Sequence, residues 1–274
     1  MIKVFALLPK KPGISDEQFH SHWRGVHAQL ALRITSLRRY VQSHRLPRPI
    51  PGFSAPPYEG VAEVWFDDLD TALRMRDSPE YLEGAFKDEP NFIDVPGLTR
   101  LVTRENVVVA GPAMAKDSKC VKGLFLVRRK PGMTVAEFQD YWRTRHAPLV
   151  PRTPHLLRYL QCHVLPETYE SDTPPAYDGV AELWWPDQAK FQESWASPEL
   201  RRHAAASRLS RGFGPSRKPV ASQPQSCPTH SGRAPSVFRF NADIGRGERS
   251  SPHGLRLAAI DASLCRTQRP RRCR

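Results

Sequence analysis

The sequence predicts an α+β protein made of two tandem ferredoxin-like units, each with the element order β-α-β-β-α-β, followed by a basic tail. Three observations lead to this prediction. The chain matches itself at one fixed offset, strand and helix patterns alternate within each copy, and the composition changes sharply near residue 206. The 274 residues are enough for two small domains with separate cores.

The self-match has a constant offset of 119 residues. Lys11-Pro12-Gly13 corresponds to Lys130-Pro131-Gly132, and no gap is needed from there to the match between "SPE" at 78–80 and "SPE" at 197–199. Such a match indicates two copies of a unit of about 110 residues, a normal size for a small domain. We place the first repeat at residues 1–110 and the second at 120–205. The small and polar residues 111–119 between them read as a linker.

Each repeat opens with a strand-like segment, "IKVFALL" or "KGLFLVR", followed by a KPG turn. Ser15 with Gln18, and Thr134 with Glu137, have the spacing of capping boxes, so a helix begins at each pair. Pro148 should end the helix of the second repeat early. Helical spacing places one aromatic, one Trp and one His on a single face in each copy: Phe19, Trp23 and His27; Phe138, Trp142 and His146.

Two strands and a short helix follow in both repeats. The strands are "RYVQSHRL" and "GVAEVWF" in the first repeat and "RYLQCHVL" and "GVAELWW" in the second. The first repeat closes with a fourth strand, "LTRLVTRENVVV". In the second repeat the offset places this strand at 218–228, where "KPVASQPQSCP" has too much Pro and Ser for a central strand.

We therefore expect the second repeat to lack its last strand and residues 206–274 to be a disordered tail rich in Arg, Ser and Pro. Within that tail, "VFRFNADI" is a weak candidate for a short element. The tail also holds most of the charge, with fourteen basic and three acidic residues of a chain whose net charge is +13. The remaining body is at +2, so we expect no specific nucleic-acid binding, and nonspecific binding through the tail stays open.

The sequence offers no signal for a membrane, a disulfide framework or a structural metal. No apolar run has the length of a membrane span, and Lys3 interrupts the apolar N-terminal segment, so we expect a cytoplasmic protein. Five cysteines without paired spacing indicate neither disulfides nor zinc. His20 and His22 point to different sides of the helix, so we predict no metal site with His27.

Histidines are the first candidates for chemistry. His27 and His146 are predicted on the helix face that meets the sheet, four residues after a Trp. A histidine in a half-apolar cavity titrates near neutral pH and can act as a general acid or base. The alternative is a structural histidine that fixes the end of the helix.

The second and third strands carry the other candidates. Period-two alternation places three polar side chains on one face of each second strand, which predicts either a ligand-lined surface or polar packing. They are Tyr40, Gln42 and His44, and Tyr159, Gln161 and His163. Glu63 and Glu182 interrupt apolar third strands, so we expect each to be paired with a His or Arg, or to be a catalytic acid with a raised pKa. Tyr58 and Tyr177 precede these strands and are candidates for a pocket mouth.

These residues carry a resemblance to a known family. "KKPGIS..QF..HW...HAQL" with "RRYVQSH", and "RKPGMT..EF..YWRTRHAPL" with "LRYLQCH", resemble the EthD family of dimeric α+β barrels. The second repeat has the complete segment His146-Ala147-Pro148-Leu149, whereas the first has Gln29 in place of the proline. The resemblance implies that two ferredoxin-like sheets pair into a barrel, either within this chain or in a homodimer.

The resemblance also implies the kind of function. The family is associated with bacterial degradation of small organic compounds, and related fungal proteins are polyketide decarboxylases or dehydratases. We therefore expect action on a small aromatic or polyketide-like molecule by His-assisted proton transfer, as in a cyclase, a decarboxylase or a cofactor-free oxygenase. The predicted bases are His27 and His146, with His44, His163 or Glu182 assisting and Trp23 and Trp142 as apolar walls.

No nucleotide-binding or serine-hydrolase motif is present, and we expect no cofactor. Two alternatives stay open. One is a non-catalytic protein that binds or delivers a small ligand for a degradation pathway. The other is a haem-binding barrel like others of the superfamily, with His146 or His163 as the axial ligand.

Overall fold

The computed structural model describes residues 1–48, 50, 56–112 and 120–200, and the backbone of residues 236–243. The strands are β1 Ile2–Leu8, β2 Arg39–Arg45, β3 Gly60–Phe66, β4 Thr99–Val109, β5 Val121–Val127, β6 Arg158–Val164, β7 Gly179–Trp185 and β8 Ser236–Asp243. The α-helices are α1 Asp16–His22, α2 Ala28–Ala31, α3 Leu69–Arg74, α4 Lys87–Phe92, α5 Val135–Tyr141 and α6 Gln188–Ala196. None of the helices described is both long enough and apolar enough to cross a bilayer.

The eight strands form one closed barrel in the order β1-β3-β2-β8-β5-β7-β6-β4, and every neighbouring pair is antiparallel. Within the first repeat β1 lies between β3 and β4, and within the second β5 lies between β7 and β8. The pairs β4–β6 and β2–β8 join the two halves. The two sheets of the α+β barrel therefore pair within this chain.

The second half is closed by β8, although we expected the second repeat to lack its last strand, and β8 covers most of "VFRFNADI", the weak candidate in the predicted tail. β8 lies between β5 of its own repeat and β2 of the other repeat, just as β4 lies between β1 and β6. Its sequence, "SVFRFNAD", lies beyond the 218–228 segment indicated by the offset. Open edges of β2 and β5 present unpaired N–H and C=O groups, and a segment containing Val and Phe can satisfy them. The rest of the predicted tail, and linker residues 113–119, lie outside the described residues.

Helices cover the outside of the barrel, and side chains alternate between its interior and this outer layer. Phe5, Leu7 and Leu124 belong to an apolar cluster in the interior. Phe19 and Trp23 pack on the outer face. The first helix of each repeat, α1 or α5, begins at a predicted capping box. The Ser15 hydroxyl accepts from the Gln18 N–H at 3.1 Å, and the Thr134 hydroxyl accepts from the Glu137 N–H at 3.2 Å.

The Trp-to-His stretch departs from the predicted α-helix in both repeats. Trp23–His27 and Trp142–His146 are π-helical turns, in which the N–H five residues after the tryptophan donates to its carbonyl. The first repeat continues into α2. In the second, Pro148 lies in a 3₁₀ turn, Ala147–Arg152, that ends the helix as predicted.

Candidate active site

A glutamine anchors each π-helical turn to the sheet. The side-chain N–H of Gln42 donates to the carbonyl of Trp23 at 2.9 Å, and that of Gln161 donates to the carbonyl of Trp142 at 2.8 Å. The predicted polar strand face thus lies beneath the helix.

The same glutamines also donate to the tyrosines of that strand face. Gln42 donates to the hydroxyl of Tyr40, and Gln161 to the hydroxyl of Tyr159, each at 3.0 Å. The indole N–H of Trp23 donates to the Tyr40 hydroxyl as well, at 2.9 Å. Burial outweighs these bonds and raises the pKa of both tyrosines to about 12. Both phenols therefore keep their protons at neutral pH.

His44 and His163 lie behind the tryptophan rings, with ring centroids 4.5 Å from Trp23 and 4.6 Å from Trp142. Burial lowers the pKa of His44 well below its ordinary value, and Arg24 and His20 add to the effect. Burial, with a smaller contribution from Arg143, lowers the pKa of His163 to about 4. Both imidazoles are therefore neutral near pH 7, and each contacts the side-chain oxygen of its neighbouring glutamine.

His27 is bound to a carboxylate. Its Nδ1 lies 3.0 Å from Asp88, which also contacts His22 at 2.8 Å and Asn91 at 3.0 Å. Although burial opposes it, these hydrogen bonds lower the pKa of Asp88 to about 2. The ring of Phe92 packs 4.8 Å from the imidazole of His27. This environment agrees with the structural alternative for His27.

The sequence does not predict the segment that surrounds His27. Asp88 and Phe92 belong to α4, which follows a π-helical turn over Tyr81–Phe86. At the offset of 119, the residues that correspond to Asp88 and Phe92 are Ser207 and Arg211, which lie outside the described part of the chain. The second copy therefore gives no signal for this segment.

His146 instead lines a cavity of about 400 Å³ between the helix and the sheet of the second repeat. The size is typical of a small-molecule site. Its apolar wall includes Phe125, Phe138, Trp142, Leu183 and Trp195, and its polar lining comprises Arg128, Arg129, Lys130, Tyr141, His146 and Tyr159.

In the first repeat, the corresponding space beside Trp23 is occupied by Phe92 and Ile93, which pack with Phe19 and Leu8. In the second repeat, none of the described residues that line the cavity takes the place beside the tryptophan that Phe92 takes in the first repeat. Among the residues that the structure describes, the two repeats thus share the strand-face network and differ in what lies beside the histidine.

Four of the predicted site residues lie on the face of the sheet opposite to the helices. Glu63 and Glu182 lie in the barrel interior, because side chains on β3 and β7 alternate and these positions are out of phase with the helix-facing ones. Tyr58 and Tyr177, which precede these strands, pack in the interior as well. The glutamates therefore do not meet His27 or His146. Both tyrosines belong to the interior apolar cluster.

Each interior glutamate is paired with lysines, not with the His or Arg expected. Lys3 lies 2.8 Å from Glu63 and also pairs with Glu182. Lys122 lies 2.5 Å from Glu63 and 2.7 Å from Glu182. Although burial opposes it, Lys122 and Lys3 lower the pKa of Glu182 to about 2. The sequence held a signal for this network, since the two lysines are 119 residues apart within otherwise apolar strands.

Glycines beneath the two tryptophans provide a test of the difference between the repeats. A β-carbon at Gly60 would lie 2.3 Å from Cζ3 of Trp23, and one at Gly179 would lie 2.4 Å from Cζ3 of Trp142. Trp23 is enclosed by aromatic rings, whereas Trp142 borders the cavity. Gly60→Ala should lower the free energy of unfolding by about 1–3 kcal/mol. Gly179→Ala should cost less, because Trp142 can move into the cavity and the contact that then remains, with the carbonyl oxygen of Cys162 at 3.0 Å, is less severe.

Urea unfolding of the two variants measures this difference. A loss for Gly179→Ala equal to or larger than that for Gly60→Ala would show that Trp142 is as tightly enclosed as Trp23.

Comparison with known proteins agrees with this architecture. The family model of the EthD domain matches residues 11–96 and 130–207. Dehydratase aurZ of Gibberella zeae is 31% identical over 121 residues, which is 39% of this chain and 80% of that protein.

Among solved structures, an anthrone oxidase-like protein has a TM-score of 0.56 at 10% identity, over 92% of this chain and 96% of its own. A candidate monooxygenase, FN1347 of Fusobacterium nucleatum, has a TM-score of 0.51 at 6% identity, over 90% of this chain and 94% of its own. At these identities the likeness shows the fold alone. The two matched segments of the EthD domain cover more than half of the sequence, and the chain therefore belongs to the EthD family.

Proposed function

We propose that the second repeat is an acid–base catalyst of the lyase type, acting on a small aromatic or polyketide-like molecule held in the 400 Å³ cavity. The observation that carries this proposal is the position of His146. It is the one side chain among the described lining residues whose ordinary pKa is near neutral, and the wall around it is apolar.

Tyr159 supports a second role at the same cavity. Its phenol oxygen accepts from Gln161, and the indole of Trp142 also contributes a hydrogen bond to it. Because Tyr159 stays protonated, its own O–H is a donor for an acceptor in the cavity. We infer that it hydrogen-bonds the carbonyl oxygen of the substrate, where negative charge develops when a neighbouring C–H is deprotonated.

The reaction that we propose is elimination of water from a β-hydroxy carbonyl compound. His146 takes the proton from the carbon next to the carbonyl, and the electron pair forms the carbon–carbon double bond as the C–O bond breaks. The departing hydroxide takes a proton from the imidazolium and leaves as water, so His146 returns to its starting state. The similarity to dehydratase aurZ favours this direction over the other lyase and oxygenase reactions.

The test is an assay of the purified full chain on a panel of aromatic β-hydroxy ketones. The proposal expects a product lighter by one water and a new conjugated absorbance band. An oxygen-dependent product would overturn the lyase direction. Saturable binding without turnover on any member would favour the non-catalytic ligand-binding alternative.

The role of Tyr159 is tested by its replacement with phenylalanine, which keeps the wall and removes the donor. We expect Tyr159→Phe to lower kcat by about 10²-fold, with a smaller change in KM, because the bond strengthens in the transition state. Tyr40→Phe is the matched control, since Tyr40 accepts the same bonds from the equivalent Gln and Trp in the first repeat. Equal losses in the two variants would assign the tyrosines a structural role alone.

A further inference from the structure

Two histidines of the first repeat meet where the helix packs on the sheet. His20 lies on α1 and His44 on β2, and their Nδ1 atoms are 2.8 Å apart. The ring centroids are 4.9 Å apart and the ring planes are inclined by 57°, so the rings meet at these nitrogens and do not stack. Two imidazole nitrogens cannot approach this closely with a lone pair on each. A hydrogen or another positive group must therefore lie between them.

The hydrogen bonds of His44 fix its tautomer. The side-chain nitrogen of Gln42 donates to the carbonyl of Trp23 and the hydroxyl of Tyr40. The amide oxygen of Gln42 therefore faces Nε2 of His44, at 3.1 Å. An amide oxygen only accepts, so Nε2 of His44 carries the hydrogen. His44 is 3% exposed, and burial lowers its pKa well below the ordinary value, so its Nδ1 keeps a lone pair.

His20 has the same arrangement with a carboxylate. Its Nε2 lies 2.9 Å from Glu59, which also binds Arg45 at 2.8 Å. Although burial opposes it, hydrogen bonds from His20 and Arg45 hold the pKa of Glu59 below its usual range. The ionised carboxylate accepts, so Nε2 of His20 donates. Each histidine thus directs its Nε2–H to an acceptor and turns its Nδ1 toward the other ring.

The histidine pair is a property of the first repeat. His163 takes the place of His44 in the second repeat, and its Nε2 faces the glutamine oxygen of its own strand in the same way. Gln139 stands where the first repeat has His20, and its side chain donates to the carbonyl of Val164 at 2.7 Å. Nδ1 of His163 has no hydrogen-bond partner among the described residues. The second repeat therefore keeps one of the two facing nitrogens.

We propose that His20 and His44 bind a transition-metal ion of the Zn²⁺ or Cu²⁺ type between their Nδ1 atoms. These ions prefer imidazole nitrogen, and in protein sites the other ring nitrogen donates to a carboxylate or carbonyl oxygen. Glu59 and the amide oxygen of Gln42 are such partners. Zn–N distances of about 2.0–2.1 Å place the two nitrogens about 3.3 Å apart, which needs a small outward rotation of one ring. His20 is 17% exposed, so its ring can rotate and water can complete the coordination.

The charges around the pair allow an added cation. Glu59 and Asp16 are acidic, and both bind Arg45. Arg24, in the turn after α1, is the other cation close enough to act on His44. Among the described residues, two acidic and two basic groups thus surround the pair, and the ion meets no excess of positive charge. An ion held by both α1 and β2 stabilises the folded chain, and this role does not depend on the lyase function of the second repeat.

Isothermal titration of the full chain with Zn²⁺ tests the site. We expect saturable binding that His20→Gln, which introduces the residue of the second repeat, weakens by more than about tenfold. The other histidines and cysteines are the same in both proteins, so the difference reports the pair. Glu59→Gln should weaken binding by about 10–100-fold, because it removes the acceptor that orients His20. The ion replaces the hydrogen between the two nitrogens, so titration in buffers of different ionisation enthalpy should show about one proton released per ion.

His22→Gln is the matched control, because His22 lies on the same helix and contacts Asp88 instead. It should leave the affinity for Zn²⁺ unchanged. Zn²⁺ should also raise the unfolding temperature of the unmodified protein and not that of His20→Gln, whose own cooperative unfolding shows that the variant is folded. Equal Zn²⁺ binding in the unmodified protein and His20→Gln, or an equal loss in His22→Gln, would overturn the proposal. No saturable binding of Zn²⁺ or Cu²⁺ would overturn it too, and would leave a shared proton between the two nitrogens.

Discussion

Replacing Lys122 by methionine is expected to lower the free energy of unfolding by about 3–5 kcal/mol. The ammonium of Lys122 lies between Glu63 and Glu182, and all three side chains are at most 1% exposed. Methionine fills a similar volume but leaves the two buried carboxylates with Lys3 as their nearest ammonium. The loss reflects a buried charge without compensation, which is far more costly than an exposed one.

The network also joins the two halves, since Lys3 and Glu63 belong to the first repeat and Lys122 and Glu182 to the second. Lys190→Met is the matched control. Lys190 pairs with Glu193 at 2.7 Å on the surface, and exposed pairs contribute little. Urea unfolding of both variants tests the difference. A Lys122→Met protein as stable as Lys190→Met would show that the interior carboxylates are not held as charged groups.

Acid unfolding gives an independent measure of the same network. The pKa of Glu182 is lowered from 4.5 to about 2, so its contribution to stability is complete above pH 4.5 and is lost as the pH falls through about 2. Lys122→Met removes the larger of the two ion pairs that lower this pKa. Its acid unfolding should therefore begin at a higher pH than that of the unmodified protein.

Replacing His146 by glutamine is expected to lower kcat by about 10²–10⁴-fold on any substrate that the protein converts. Glutamine keeps hydrogen-bonding groups at the cavity wall but cannot take up the substrate proton. His27→Gln is the matched control, because His27 contacts Asp88 and the Phe92 ring. It should retain turnover and lose stability instead, since it leaves Asp88 with one fewer partner.

Kinetics and unfolding of the two histidine variants separate these roles. Turnover that survives in His146→Gln and is lost in a folded His27→Gln would move the chemistry to the first repeat. Turnover that survives in both would remove histidine catalysis from this protein.

Local sequence patterns predicted most of the fold, because the helical and strand periodicities and the repeat offset can be read directly from the sequence. Alternation placed Tyr40, Gln42 and His44 on one strand face, and the structure puts that face under the helix. β8 could not be predicted in the same way. It breaks the offset, and its place is set by hydrogen bonding to two distant strand edges.

The candidate site was predicted less completely, for reasons that depend on tertiary contacts. The pairing of His27 with Asp88 joins residues 61 positions apart, and no local pattern indicates it. Glu63 and His27 belong to the same repeat but do not meet. The alternation of β3 directs Glu63 into the barrel interior, whereas His27 lies on the helix that covers the outer face of the sheet. The sequence showed that the repeats differ at Pro148. It could not show that Phe92 packs beside one histidine and that the other borders a cavity.

The central claim is that the second of two related halves holds the ligand, and a crystal structure of the full chain soaked with an aromatic β-hydroxy ketone tests it most directly. The account predicts the aromatic rings between Trp142 and Tyr159, near His146. A ligand bound beside His27 and Trp23, or in the barrel interior near Lys3 and Lys122, would contradict it.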